Sequence, residues 1–340
     1  LSKPRILLSQ ARSQGLLRPP LWYESPGENY VCNGPFTLSS WDHYISITVE
    51  KNASYWDSSA VLLDKIELSM IESAKEELAL YNQDLLDWAG KPLSSLPTDS
   101  LAQLRAEGRL SAHPVAATYW YEFNTEKLPF NNTKIRRAFS YALNRERLIT
   151  EAYLADQIPA TGVVPPTMQF SSQTYFQDGD QEQALLLFEE GLQELGLTRE
   201  ELPKITITFN THSGHELIAR ATQQQWLEVF GIEIEIQNME WTSYLAYLRS
   251  GDYHISRMAW IADYNDPFTF LNLFKYATGG SNYSRWEDAR YGQLLEASMK
   301  VLNPTEREAL LQEAEGLLME NMPIAPVYFY TNTYLQKPRL

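Results

Sequence analysis

At 340 residues the chain exceeds the roughly 250–300 at which one hydrophobic core divides, so two domains or lobes are expected. A content of 44% hydrophobic, 12% aromatic and 21% charged residues excludes wholesale disorder, and a net charge of −15 excludes a nucleic-acid partner, whose phosphates demand clustered Lys and Arg. The single cysteine, Cys32, excludes an intrachain disulfide and a cysteine-rich metal site.

Residues 1–22 show neither a helical stripe nor strand alternation, and Arg18, Pro19 and Pro20 would stop a helix, so the segment is expected to be loosely attached. Ser9, Gln10, Arg12, Ser13 and Gln14 interrupt any apolar core of a signal peptide, and no later run approaches the roughly 20 apolar residues of a membrane span. Phe36, Leu38, Ile45, Ile47 and Val49 alternate with polar residues, predicting two strands around a turn at Ser39 to His43. Residues 52–59 read as a loop, and Ile66, Leu68 and Met70 as a further strand. Helices are expected at 74–81 and 98–107.

Tyr119 to Asn124 reads as an aromatic strand. Lys134 to Leu143 reads as a helix with Ile135, Ala138, Phe139 and Ala142 on one face, followed by a second helix capped by Asn144. The proline-bearing stretch 159–175 is expected to wrap a surface or a lobe junction. Asp180 and Gln183 open a helix to about Leu195, Ile205 to Phe209 form a strand, and a helix from about His215 to Phe230 ends at Gly231 before a strand through Ile232, Ile234 and Ile236. Strand, helix and strand at this spacing make a parallel βαβ unit, so the second half is α/β. Helices at 287–301 and 305–319 precede a strand at 325–330, and no internal repeat is visible.

The stretch Arg257 to Pro267 carries the most informative mixture. A mostly apolar strand to Ile261 gives way to the turn formers Asp263, Asn265, Asp266 and Pro267. Asp263 emerges where a buried strand becomes a loop, beside Trp260 and Tyr264. There it either caps the turn or meets a cation in a partly dry site. His212 and His215, three apart, have a spacing that metal ligands can use, but no HExxH accompanies them. Phosphate cradles, GxSxG elbows and dinucleotide fingerprints are all missing, and Asn52, Asn131 and Asn282 head sequons that read as ordinary loop residues.

These residues carry a resemblance. Asn33, Gly34 and Phe36 before Trp41; Asn52 with Tyr55 and Trp56; Tyr121, Glu122, Phe123 and Asn124; and Pro129 and Phe130 before Ile135 to Ala138 occur in order. Ala142 to Arg145, Glu240 with Trp241, Asp263 to Pro267, and Ile324 with Pro326 to Tyr328 follow. Over some 300 residues the chain resembles the oligopeptide-binding and dipeptide-binding solute receptors of bacterial ABC importers.

The resemblance implies a periplasmic-binding-protein-like type II α/β fold: a two-lobed clamshell that closes on an extended peptide and passes it to a membrane permease. No catalysis and no cofactor or metal are implied, the receptor being a periplasmic monomer. It also implies that the peptide lies as an added strand, its α-amine on Asp263 and its backbone against Ala259, Trp260 and Ile261. Trp241, Arg257, His215, Glu122, Trp120 and Tyr330 would line its pockets, while Leu248 replaces an arginine of some relatives. Lobe I is expected at 23–116 plus 332–340 and lobe II at 117–331. Relatives carry an export signal and a larger first lobe, so the expectation is a truncated receptor with an incomplete lobe I, cytoplasmic if the sequence is the whole product. Receptors for dipeptides, murein peptides or metal chelates, a non-transporting remnant, and a hydrolase on the same scaffold are the competing readings.

Overall fold

A computed structural model describes residues 32–152, 156–168, 170 and 173–340; the expected N-terminal segment 1–22 lies outside them. The chain divides into two compact units, one ending at Leu86 and one spanning Asp87–Leu340.

In the first unit, alternation produces three strands, β1 (Phe36–Asp42), β2 (Ser46–Lys51) and β3 (Lys65–Ser69), paired antiparallel in the order β1-β2-β3. Leu38 pairs with Val49 and Val49 with Ile66, which places the apolar residues on one face. The turn falls later than expected. A register shift between Leu38 and Ser40 lets β1 run on to Asp42, and Tyr44, with φ +66°, makes the reversal. Helix α1 (Ala74–Asn82) follows, its first turn capped by Ser73.

The second unit is built on one sheet. Its strands are β4 (Trp88–Gly90), β5 (Ser111–Phe123), β6 (Ile158–Pro159), β7 (Thr206–Asn210), β8 (Glu235–Met239), β9 (Ile255–Ile261) and β10 (Ile324–Gln336). The order is β4-β10-β5-β9-β7-β8, with β6 beside β10. Its helices are α2 (Leu101–Ala106), α3 (Thr133–Tyr141), α4 (Arg145–Ala152), α5 (Gln181–Leu195), α6 (Ser213–Phe230), α7 (Trp241–Ser250), α8 (Phe268–Leu271), α9 (Ala289–Ser298) and α10 (Pro304–Asn321).

The expected βαβ unit is β7-α6-β8, and its strands are parallel. Strand β8 starts three residues later than the isoleucine pattern predicted, because Gly231 (φ +69°) turns the chain and pairing begins only at Glu235 opposite Thr206. Strands β5 and β10 are each far longer than their apolar cores, and α7 was not foreseen. The expected lobe limits, 116/117 and 331/332, fall inside β5 and β10, where Thr331 lies opposite Pro114 and Phe329 opposite Thr118.

The two faces of the sheet have separate cores. Odd-numbered residues of β5 meet α3 and α6: Tyr121 packs on Trp226 and Phe123 on Phe139, and the Trp226 indole donates to the Phe139 carbonyl at 2.7 Å. Even-numbered residues face the other way, with Trp120 against Phe274 and Thr118 donating to the Val163 carbonyl. Fully buried Arg145 donates to the carbonyls of Pro326 and Leu143, to Ser140 Oγ and to the Asp178 carboxylate. It thereby ties the start of α4 to β10.

Candidate functional site

Strands β7, β8 and β9 point the same way, so their carboxyl ends share one edge of the sheet, the place where open α/β sheets receive ligands. From that edge β7 feeds α6 through His212, and β8 feeds α7 through Glu240, whose carboxylate accepts from the amides of Thr242 and Ser243. The last residues of β9 lie there as well, with Tyr330 of β10.

Strand β9 is paired with β5 along its whole length, from Phe123 opposite Ile255 to Ala117 opposite Ile261. Its other edge pairs with β7 only at Ile255 and Ser256. From Arg257 to Ile261, therefore, one edge of β9 has no strand beside it among the described residues, and this open edge carries Ala259, Trp260 and Ile261.

At the inner end of this open edge sits Arg257, 8% exposed. Its guanidinium donates to Asn210 Oδ1 at 3.2 Å and to the Tyr330 hydroxyl at 3.0 Å, and lies 4.7 Å from the Tyr119 ring centroid. Among the described residues no carboxylate pairs with it, and its Nε is buried without a hydrogen-bond partner. Burial opposes the charge, but the oxygens of Tyr330, Tyr119, Tyr328 and Tyr244 together outweigh it and keep the group protonated. A buried cation held only by neutral groups is able to accept an anion.

His215, on the first turn of α6, packs on the same Tyr119 ring, with His212 4.8 Å from it. Burial, Arg257 and His212 push the His215 imidazole down to about 3, so it is neutral at physiological pH. His212 Nδ1 accepts from the Gly214 amide, and the nearby Arg257 charge opposes a bound cation, so the pair is better suited to lining a pocket than to holding a metal.

At the outer end the chain leaves the sheet at Ile261. The Thr269 hydroxyl accepts from both Trp260 Nε1 (3.2 Å) and the Asp263 amide (3.3 Å), fixing the loop to α8. The two aspartates of this loop differ. Asp266 makes a two-pronged pair with Arg307 and accepts from the Phe268 amide, so its charge is neutralised. The exposed Asp263 carboxylate has no hydrogen-bond or ion-pair partner among the described residues. Ile261 (74% exposed) and Tyr264 (52%) present apolar surface beside it in the chain, and Trp241 (46%) is exposed at the start of α7.

Eight of the ten residues expected from the sequence thus gather at one edge: Asp263, Trp260, Ala259, Ile261, Trp241, Arg257, His215 and Tyr330. Trp120 and Glu122 are placed elsewhere, in the interior on the even-numbered face of β5, both essentially unexposed. Sequence reasoning missed Asn210, Tyr119 and Thr269. The Tyr119 and Tyr121 spacing, with two like residues on one strand face, was the available signal for Tyr119; Asn210 and Thr269 are defined only by the tertiary fold.

Residues 19–282 match the family profile described as bacterial extracellular solute-binding proteins, family 5 Middle. The chain is 43% identical over 323 residues to the oligopeptide-binding protein OppA of Bacillus subtilis, covering 94% of this chain and 59% of that protein. It is 32% identical to the dipeptide-binding protein DppE of the same organism, again over 94% of this chain and 59% of the relative. Among solved structures, the unliganded open form of the periplasmic murein tripeptide-binding protein MppA superposes with a TM-score of 0.75 at 29% identity, over 90% of this chain and 59% of that one. The chain therefore spans about three-fifths of the length of the relatives it matches. The neighbours have the type II periplasmic-binding-protein fold, which is the fold class of this α/β chain. No helix among the described residues is long and apolar enough to cross a membrane.

Proposed function

Since the chain belongs to the bacterial extracellular solute-binding proteins of family 5, we propose that it is the peptide-binding component of an ABC importer and takes its ligand as an added strand on β9. The open edge of β9 from Arg257 to Ile261 carries this reading. An extended peptide laid there satisfies backbone groups that no strand of the protein pairs, so main-chain bonds give affinity without reading sequence. The α-amine meets Asp263, and an anionic group of the ligand meets Arg257. A strand rises about 3.3 Å per residue, so these charges mark the two ends of a segment a few residues long.

Trp241, Trp260, Tyr330 and His215 supply walls that are broad and neutral, suited to varied side chains and to bridging water. Trp120 and Glu122 support the sheet from below and make no contact with ligand. The lobe limits at 116/117 and 331/332 then lie opposite each other on the paired strands β5 and β10, which join the lobes. On this reading the bound peptide leaves unchanged for a membrane permease, and the receptor acts as a periplasmic monomer.

Titration calorimetry of the purified chain against peptides of two to five residues tests the reading. Peptides with both termini free are expected to bind, and single amino acids to bind far more weakly. Heat from sugars or metal chelates, with none from any peptide, contradicts it.

A further inference from the structure

Glu122 lies opposite Ser256 on β9, and Ser256 lies opposite Thr208 on β7. The three polar side chains form one row across three adjacent strands, on the face away from Arg257, and each is 0% exposed. Glu122 Oε1 accepts from the Trp120 indole at 3.2 Å. Its Oε2, with Ser256 Oγ and Thr208 Oγ1, has no well-formed hydrogen bond among the described residues. Buried polar atoms are nearly always paired, and side chains directly opposite on neighbouring strands stand close enough to share an internal water, which needs two to four polar neighbours.

The surroundings decide the charge of the carboxyl. Tyr244 and Tyr247 of α7 reach Ser256 and Thr208, and Tyr244, Tyr253 and Tyr283 all sense the Glu122 carboxyl. Arg285 and Arg249 are engaged at Tyr253 and Tyr283, and no basic residue pairs with Glu122 among the described residues. An ionised carboxylate without a cation is the costliest occupant of such a place.

We propose that Glu122 is held as a neutral carboxylic acid in a buried hydration site that it shares with Ser256 and Thr208, its proton donated to an internal water. The site lies beneath the strand that carries Arg257, and the inference is independent of what the outer edge binds. Burial pushes the carboxyl up to about 8, against weaker opposing hydrogen bonds from Trp120 and the Tyr283 backbone. A raised carboxyl favours the fold fully below the ordinary carboxylate range, and that contribution is lost as the pH climbs through about 8.

Infrared spectra of the whole chain at pH 6 are expected to contain a protonated-carboxyl band that Glu122→Gln removes and that disappears from the wild type by pH 10. Thermal melts are expected to show the wild type losing stability relative to Glu122→Gln between pH 6 and pH 9. A pH 6 band untouched by the substitution, or parallel melting profiles, overturns the proposal. Should Glu122→Gln fail to fold, Glu122→Asp is read by the same band, and one identical in position and pH response to the wild type overturns it equally.

Discussion

Replacing Arg145 with alanine is expected to cost about 3–5 kcal/mol of folding stability, enough to leave much of a marginally stable chain unfolded at 37 °C. The guanidinium is fully buried and reaches Pro326 on β10, Leu143 and Ser140 around the end of α3, and Asp178 before α5. Its removal takes a donor from the Pro326 carbonyl, leaves Asp178 without its cation though still accepting from the residue 145 amide, and opens a void beside Phe176, whose ring lies 4.7 Å from the guanidinium carbon. Lysine is expected to rescue little, since a point charge cannot reach four acceptors in one plane. Denaturant melts measure the loss, and a change below about 1 kcal/mol shows that the network is not what joins these elements.

Arg257→Met is expected to weaken binding while leaving stability nearly unchanged. The guanidinium has no carboxylate partner to strand, and a methionine of similar length fills its place, so the melting temperature is expected to change little. Asn210 and Tyr330 lose a donor, but both lie only partly buried, where water can replace it. Affinity for a ligand that brings an anion to this place falls by about 2–5 kcal/mol, which is roughly thirtyfold to several thousandfold. Ligands with that group amidated are expected to lose far less. A variant that melts lower than the wild type while binding as well would mean that Arg257 is a structural residue.

The parts of the fold legible in the sequence were those with unbroken periodicity. Isoleucines alternating around the α6 stripe gave the parallel unit β7-α6-β8, and the passage from apolar strand to turn formers marked the end of β9 at Ile261. Prolines hid the rest. Pro114 and Pro326 have no amide to donate to the ladder, so the full lengths of β5 and β10 do not follow from strand alternation alone. The structure accommodates them with register shifts in β10 between Pro326 and Tyr328 and between Phe329 and Thr331, the latter opposite Pro114.

Helix α7 escaped notice because its cap is a glutamate, Glu240, and its buried stripe is only Tyr244 and Leu248. Glu122 was expected in the pocket lining on the family resemblance alone, whereas it is fully buried on the even-numbered face of β5. Which way a strand residue faces depends on the register with β9, and a single chain does not print that register.

The account rests on a salt link between an α-amine and Asp263, and a thermodynamic cycle isolates it. Wild type and Asp263→Asn are each titrated calorimetrically with one peptide in free-amine and N-acetylated form. The predicted result is a coupling of about 2 kcal/mol or more, with the aspartate-to-asparagine change weakening the free amine by roughly thirtyfold and the acetylated peptide very little. Equal losses for the two peptides, and hence no coupling, would contradict the central claim.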